Sequence, residues 1–432
     1  MIPTLLFVGF LALMLLGVPI GVALGLAGTA AIALANLDTQ WFGLLAVPQN
    51  FFAGLGKYPL LAIPMFVLVG SIFDRSGVAL RLVNFAIAIV GRGPGMLPLV
   101  AIVVAMFLGG ISGSGPANAA AVGGVMIAAM ARAGYPASFS ASVVGAAAAT
   151  DILIPPSVAF IVYSVLVSGA SVPALFAAGM VPGILAGIAL ILPAVWLARK
   201  HGMGAAEATL PRPPFWASLR EASWGLFAPV LILGGMRAGW FTPTEAAVVA
   251  VFYGLFVGVF IHRTIALRDL APILRESGEL SAVILFVVAL AGIFAYSLST
   301  MGVIDPLTNA IVNSGLGEYG VLSLLILMLI VVGMFLDGVS IFLIFVPLLQ
   351  PIMTHYQWDP VWFGVLLTLK VALGQFTPPL AVNLMVSCRI AGVRMEETVR
   401  WVGWMLLAMF MVMVAVIVWP QLALWLPAQL GY

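Results

Sequence analysis

Ile154-Pro155-Pro156-Ser157 and Thr377-Pro378-Pro379 decide how this chain of 432 residues folds. Each Pro-Pro pair sits near the middle of an apolar run, 137–168 in one case and 359–390 in the other. Proline has no N–H to give to the carbonyl four residues earlier, so both helices must break. Pro155 and Pro156 release the carbonyls of Asp151 and Ile152, and Pro378 and Pro379 release those of Gly374 and Gln375. Backbone left open in this way survives at membrane depth only when it is buried in protein or lines a cavity.

The two breaks lie 223 residues apart, and the same ungapped offset pairs Gly110 with Gly333, Gly115 with Gly338, Met130 with Met353, Tyr135 with Trp358 and Gly169 with Gly392. An offset of 225 aligns Ser76-Gly77-Val78 with Met301-Gly302-Val303. The chain therefore reads as a duplication, the sequence signature of many secondary transporters, whose substrate sites lie where the halves meet. The first repeat spans 1–198, a polar linker 199–221, and the second repeat 222–432. Ahead of each break stands a Gly-bearing turn that predicts a re-entrant helical hairpin, 109–134 in the first half and 333–357 in the second. The first hairpin opens on Gly109-Gly110-Ile111-Ser112-Gly113-Ser114-Gly115-Pro116-Ala117-Asn118, too rich in Gly and Pro for a lipid-facing helix. Close packing of small residues is the competing reading of that segment alone. Its echo in the other half weighs against it.

Composition makes lipid the solvent. Only 7% of residues are charged and 63% are hydrophobic, where soluble domains carry about 25% and about 45–50%. Mean hydropathy is +1.22. The formal net charge of +2, spread thinly, leaves no basic track for nucleic acid. Cys388 stands alone, and His201, His262 and His355 are far apart, so neither a disulfide nor a transition-metal site is expected. Expected spans run roughly over 59–77, 95–110, 137–168, 172–198, 222–238, 243–261, 280–300, 318–336, 359–390 and 398–428. Residues 3–36, interrupted at Gly17-Val18-Pro19, are either one kinked helix or two short ones, and are expected to stay in the membrane because no basic n-region or cleavage site precedes them. Arg199, Lys200, Arg212 and Arg220 in the linker, with Arg263, Arg268 and Arg275 in a second polar stretch at 262–279, predict cytoplasmic segments. The mixed segments 40–57, 78–92 and 303–315 read as interfacial helices or as ordinary short loops.

Around the breaks the chemistry is oxygen. Freed carbonyls, the hydroxyls of Ser112, Ser114, Thr150, Ser157 and Thr377, and the carboxylates of Asp151 and Asp337 form the donor set a hard alkali cation requires. Helix N-termini beside them suit an anionic group. The pattern predicts coupled cation and anion binding near the bilayer midplane.

These motifs, with Phe241-Thr242-Pro243-Thr244-Glu245-Ala246-Ala247 and Gly333-Met334-Phe335-Leu336-Asp337, resemble the large membrane subunit of the tripartite ATP-independent periplasmic (TRAP) transporters over nearly the whole chain. The resemblance implies an all-α polytopic protein of the bacterial inner membrane, with inverted repeats, working as an elevator. It implies sodium-driven uptake of small carboxylates, such as dicarboxylates or sialic acids. The implied partners are a small four-helix membrane subunit and a periplasmic substrate-binding protein; Na+ is the coupling ion and no other cofactor is implied. Carried onto this chain, one cation site falls on Ser112, Ser114, Asp151, Ile154 and Pro156, and the other on Asp337, Gly374 and Thr377; Asn118, Ser157, Lys370, Asn383 and Arg389 are candidates for the substrate anion. Two residues depart from the family pattern. Position 151 is commonly small, so Asp151 either strengthens the cation site or is a locally solvated or neutral carboxyl. Lys370 pairs with an acid, meets substrate or snorkels to an interface. Inverted repeats also require an odd number of crossings between Gly110 and Gly333, whereas the span list gives six; the pair within 222–261 is the suspect.

Other functions fare worse. No G-x-x-x-x-G-K-[ST] loop supports an ATP-driven pump, and Gly315-Leu316-Gly317-Glu318-Tyr319-Gly320 lacks the strand-turn-helix context of a dinucleotide site. An intramembrane aspartyl protease built on Asp151 and Asp337 leaves the matching helix breaks unexplained. Proton coupling through either Asp stays open, and which carboxylate is carried is not written in the permease.

Overall fold

The computed structural model describes residues 2–36, 41–91, 93–209, 212–334, 336 and 338–432. Among them all regular structure is helical, as expected of a chain whose backbone must satisfy itself in lipid. The N-terminal segment resolves into two helices, α1 (Ile2–Leu15) and α2 (Ile20–Ala35), because Gly17 turns left-handed at φ +82° and Pro19 follows. Short helices α3 (Trp41–Leu44) and α4 (Ala46–Leu55) lead to α5 (Ala62–Arg75) and α6 (Val78–Val90). The first hairpin is α7 (Met96–Ser112) and α8 (Gly115–Arg132), and the first broken helix is α9 (Ala137–Ala148) and α10 (Val158–Leu166). After α11 (Val172–Lys200) come α12 (Phe215–Arg237), α13 (Pro243–Phe256), α14 (Leu267–Thr300) and α15 (Ile304–Val312). The second hairpin is α16 (Gly317–Gly333) and α17 (Gly338–His355), followed by the broken pair α18 (Pro360–Gly374) and α19 (Val382–Ala391), then α20 (Val399–Val418) and α21 (Gln421–Leu430).

Six of the described helical stretches are long and apolar enough to cross a membrane: Tyr58–Arg75, Val172–Lys200, Pro243–Ile261, Leu267–Thr300, Gly338–His355 and Met395–Val418. Helix α12 has 23 residues yet falls outside this set on composition. It belongs to the pair suspected of spoiling the crossing count. The polar segments are more helical than hydropathy suggests. The linker shrinks to 201–214, and most of the polar stretch 262–279 is the start of α14. Phe241-Thr242-Pro243-Thr244-Glu245 proves to be a capping box: the Thr242 amide donates to Glu245 at 2.8 Å, and the Glu245 amide donates back to Thr242 Oγ1 at 3.3 Å.

The halves interlock. Helix α19 of the second half packs on α8 and α9 of the first, and α10 of the first packs on α17 and α18 of the second. Gly145 permits the crossing of α9 and α19, since a Cβ there would stand 2.9 Å from Ser387 Oγ and 3.0 Å from Leu384 Cα. Tyr163 on α10 donates its hydroxyl to the Pro360 carbonyl at 2.8 Å. A second group, α1, α2, α4 and α14, packs together, with α14 also against α5 and α17.

Aromatic residues at equivalent turns do equivalent work. Tyr135 donates to Glu207 at 2.8 Å, and Trp358 donates to Glu318 at 2.8 Å. Glu207 also accepts the Leu97 amide, so it caps α7 with a carboxylate where the helix is electropositive. Burial pushes the Glu207 carboxyl up from 4.5 despite these hydrogen bonds. Between the free-carboxyl value and the raised one, the unfolded chain has released its proton while the folded chain keeps it, so stability falls as pH rises through that window. Relative to a Glu207→Gln variant, the melting temperature of the wild type in detergent should therefore drop as pH climbs from about 4.5 towards neutral. A constant difference across that range would contradict this assignment.

Candidate functional site

Each hairpin turn is pressed against a broken helix by residues that tolerate no side chain. Gly113, at the tip between α7 and α8, is left-handed at φ +60°, and a Cβ on it would lie 2.8 Å from the Pro156 carbonyl oxygen. In the second half a Cβ on Gly374 would lie 2.8 Å from the Gly333 carbonyl oxygen. Gly115, opening α8, faces the other half: its Cβ would stand 2.7 Å from Gln375 Oε1 and 2.8 Å from the Asn383 amide. Both Pro-Pro bonds, Pro155-Pro156 and Pro378-Pro379, are cis.

Between the two tips lies a cavity of about 300 Å³. The first half contributes Gly113, Ser114 and Gly115, and the second contributes Gly333, Gly374 and Gln375. Its remaining wall includes Val67 of α5 and Leu280 and Ile284 of α14. The cavity thus sits where the interlocked halves face the second helix group.

Of the predicted residues, Ser114 and Gly374 line this cavity. Ser112 and Asp151 lie behind the first tip, both buried, with the Ser112 hydroxyl 3.4 and 3.5 Å from the two carboxylate oxygens. Asp151 Oδ1 also comes within 2.9 Å of where a Gly109 Cβ would stand. Ile154 packs on Gly110, and Pro156 on Gly113. This arrangement places a carboxylate, a hydroxyl and the open end of α7 together, a donor set of the kind a hard cation takes. Thr377 turns its hydroxyl back to the Leu373 carbonyl at 2.6 Å. Asp337 lies outside the described residues.

The anion candidates scatter more. Asn383 donates to Gln375 Oε1 at 3.0 Å beside Gly115, and its own Oδ1 has no partner among the described residues. Asn118 straps the first hairpin by donating to the Ala105 carbonyl at 2.8 Å. Ser157, at the N-cap position of α10, donates its hydroxyl to the Ile152 carbonyl at 2.6 Å, and the Thr377 and Asn383 amides donate to the Gly374 and Gln375 carbonyls at 3.2 and 3.0 Å, so three of the four carbonyls expected to be free already accept bonds. Arg389 is exposed at the far end of α19 and takes no part in the cavity lining. Lys370 is buried, with its Nζ against Gly333 rather than in the cavity lining.

Two participants escaped sequence reasoning. The sequence points only to the Gln375 carbonyl, yet its side chain joins the two halves at Gly115. Asp74, near the end of α5, interacts electrostatically with both Asp151 and Glu276, while its neighbour Arg75 bridges to Glu276 on α14 at 2.6 Å. An ionisable residue inside an expected span is itself a functional signal, and that signal would have found Asp74. Among the described residues no cluster of three or more His, Cys, Asp or Glu gathers.

Comparison with known proteins agrees with this architecture. The family described as "Tripartite ATP-independent periplasmic transporter, DctM component" matches residues 7–422. The C4-dicarboxylate TRAP transporter large permease protein DctM of Rhodobacter capsulatus is 35% identical over 439 residues, covering 98% of each chain. The sialic acid TRAP transporter large permease protein SiaM of Vibrio cholerae is 34% identical over 425 residues, again covering 98% of each. The crystal structure of the Alcanivorax borkumensis YdaH transporter, 13% identical, shares the fold at a TM-score of 0.57 over 88% of this chain and 90% of that one. The chain therefore belongs to the DctM component family of the tripartite ATP-independent periplasmic transporters, and is a multi-pass helical permease of the inner membrane rather than an enzyme.

Proposed function

We propose that this permease takes up small organic anions, carboxylates such as C4-dicarboxylates, sialic acid or other sugar acids, by symport with sodium. The observation that carries the reading is the buried Asp151 carboxylate and Ser112 hydroxyl set directly behind a cavity shared by both hairpin tips. In the first half, Ser112, Ser114, Asp151, Ile154 and Pro156 surround the coupling ion. The corresponding set in the second half, Asp337, Gly374 and Thr377, faces a cation as well. The substrate anion occupies the cavity, with Asn383 and Ser157 beside it and the N-terminus of α8 turned towards its charge. The two re-entrant hairpins and the broken helices move together as an elevator against the group containing α2, α4 and α14. A periplasmic substrate-binding protein delivers the anion, and a small four-helix membrane subunit completes the scaffold. Support for these partners is family membership and the relatives named above.

Proton coupling is the second reading, favoured by the electrostatic interaction between the like-charged Asp74 and Asp151 carboxylates, which favours a proton on one of them. One experiment separates them. The permease is reconstituted in vesicles with its small subunit and binding protein, and given labelled C4-dicarboxylates or sialic acid. Accumulation driven by an inward sodium gradient at equal pH supports the proposal. Accumulation driven by a pH gradient in choline, with no response to sodium, would replace it with the second reading.

A further inference from the structure

The two halves carry opposite charges at related places. The offset of 223 lays Asp151 on Gly374 and Ala147 on Lys370. From 137 to 157 the first broken helix has one charged residue, Asp151; from 360 to 381 the second has one, Lys370. The charge is thus inverted and displaced by four positions, about one helical turn.

Both side chains point at the same feature, the C-terminal end of a hairpin's first helix. Asp151 lies against Gly109 and Ser112 at the end of α7. Lys370 Nζ lies so close to Gly333, the last residue of α16, that a methyl group there would collide with it. Open carbonyls give such an end about half a negative charge. A carboxylate adds negative to negative, and nearby Asp74 adds more, so the first half is balanced only when a cation arrives from outside. An ammonium at the equivalent end has the complementary sign from the start. Lys370 is 1% exposed, and its Nζ makes no hydrogen bond among the described residues, which leaves its charge facing that helix end. Asp337, four residues after Gly333 in the sequence, has the sign to complete the balance.

We infer that the Lys370 ammonium is the resident cation of the second half, standing where the first half takes a sodium ion, so that the chain binds one sodium rather than two. This rests on the sodium-coupled reading of Asp151. It also removes Lys370 from the residues that touch substrate.

Sodium chloride itself is the probe. The melting temperature of the purified full chain in detergent is followed as sodium replaces choline at constant ionic strength. The steepness of stabilisation against the logarithm of sodium concentration scales with the number of ions bound. The expected result is a one-ion response for the wild type and for Lys370→Arg, no response for Asp151→Asn, and a response about twice as steep for Lys370→Met, whose second half is left to take an ion. Sodium-23 relaxation titration of the unaltered chain counts ions without relying on any variant. Two sodium ions per wild-type chain, or an unchanged response in a folded Lys370→Met, would overturn the inference while leaving sodium coupling intact. No sodium response in the wild type would overturn both.

Discussion

Asp151→Asn is expected to abolish sodium-driven uptake by a chain that still folds. The substitution keeps the shape of the side chain and removes its charge. In the native protein that carboxylate is fully buried, and the Ser112 hydroxyl that donates to it is 3.4 Å away at best. A charge so poorly compensated destabilises the ion-free protein, and pairing with a cation offsets the cost. Removing one member of a buried pair costs about 3–5 kcal/mol, which corresponds to a loss of sodium affinity of about two to three and a half orders of magnitude. Without sodium, the Asn variant should be at least as stable as the wild type, because the isolated buried charge is gone. Uptake measured against sodium concentration, alongside melting curves in choline, checks both halves of the prediction. A folded variant that kept its sodium dependence would move the ion site elsewhere.

Gly113→Ala is the second large expected effect, and here the damage is geometric. A left-handed φ costs a residue with a Cβ about 1–2 kcal/mol. The added carbon must also displace the Pro156 carbonyl, 2.8 Å away, and that carbonyl belongs to the break itself. Hairpin tip and broken helix then separate by a few tenths of an ångström at the point where the cation and the anion are held together. Transport should fall by more than tenfold, on the order of what a sub-ångström misplacement at a preorganised site costs. Gly124→Ala, in the middle of α8 with open space around it, is the matched control. It should leave transport intact and gain about 0.5–1 kcal/mol of stability from helix propensity. Equal transport by the two variants would contradict the packing assigned to the first tip.

Much of this arrangement is readable from the chain alone, for a definite reason. Proline chemistry and a conserved internal offset act through the backbone, so Pro155-Pro156, Pro378-Pro379 and the Gly-rich turns announce breaks and tips without any knowledge of their neighbours. Hydropathy is a poorer guide where helices leave the lipid. The stretch beginning Phe215-Trp216-Ala217-Ser218-Leu219-Arg220 reads as linker but forms the first turns of α12, since polarity reports depth and not helix formation. Likewise α14 runs from Leu267 through residues that read as a polar loop, with Arg275 and Glu279 paired at 2.8 Å on its surface. The site itself was less legible. Ser157 could not be seen retaking the Ile152 carbonyl, nor could Gln375 be seen reaching Gly115, because both depend on how the chain crosses itself at the cavity.

The central claim is that the first hairpin tip and the Asp151 break hold the coupling ion beside a cavity common to both halves. Its most direct test is a high-resolution cryo-electron microscopy pair, one sample in sodium chloride and one in choline chloride. The expected result is a peak in the sodium map alone, about 2.4 Å from oxygens that include Asp151 and the end of α7, with the two hairpin tips facing each other across the cavity. A sodium-dependent transporter with no such peak at Asp151, or with its tips apart and lipid between them, would contradict it.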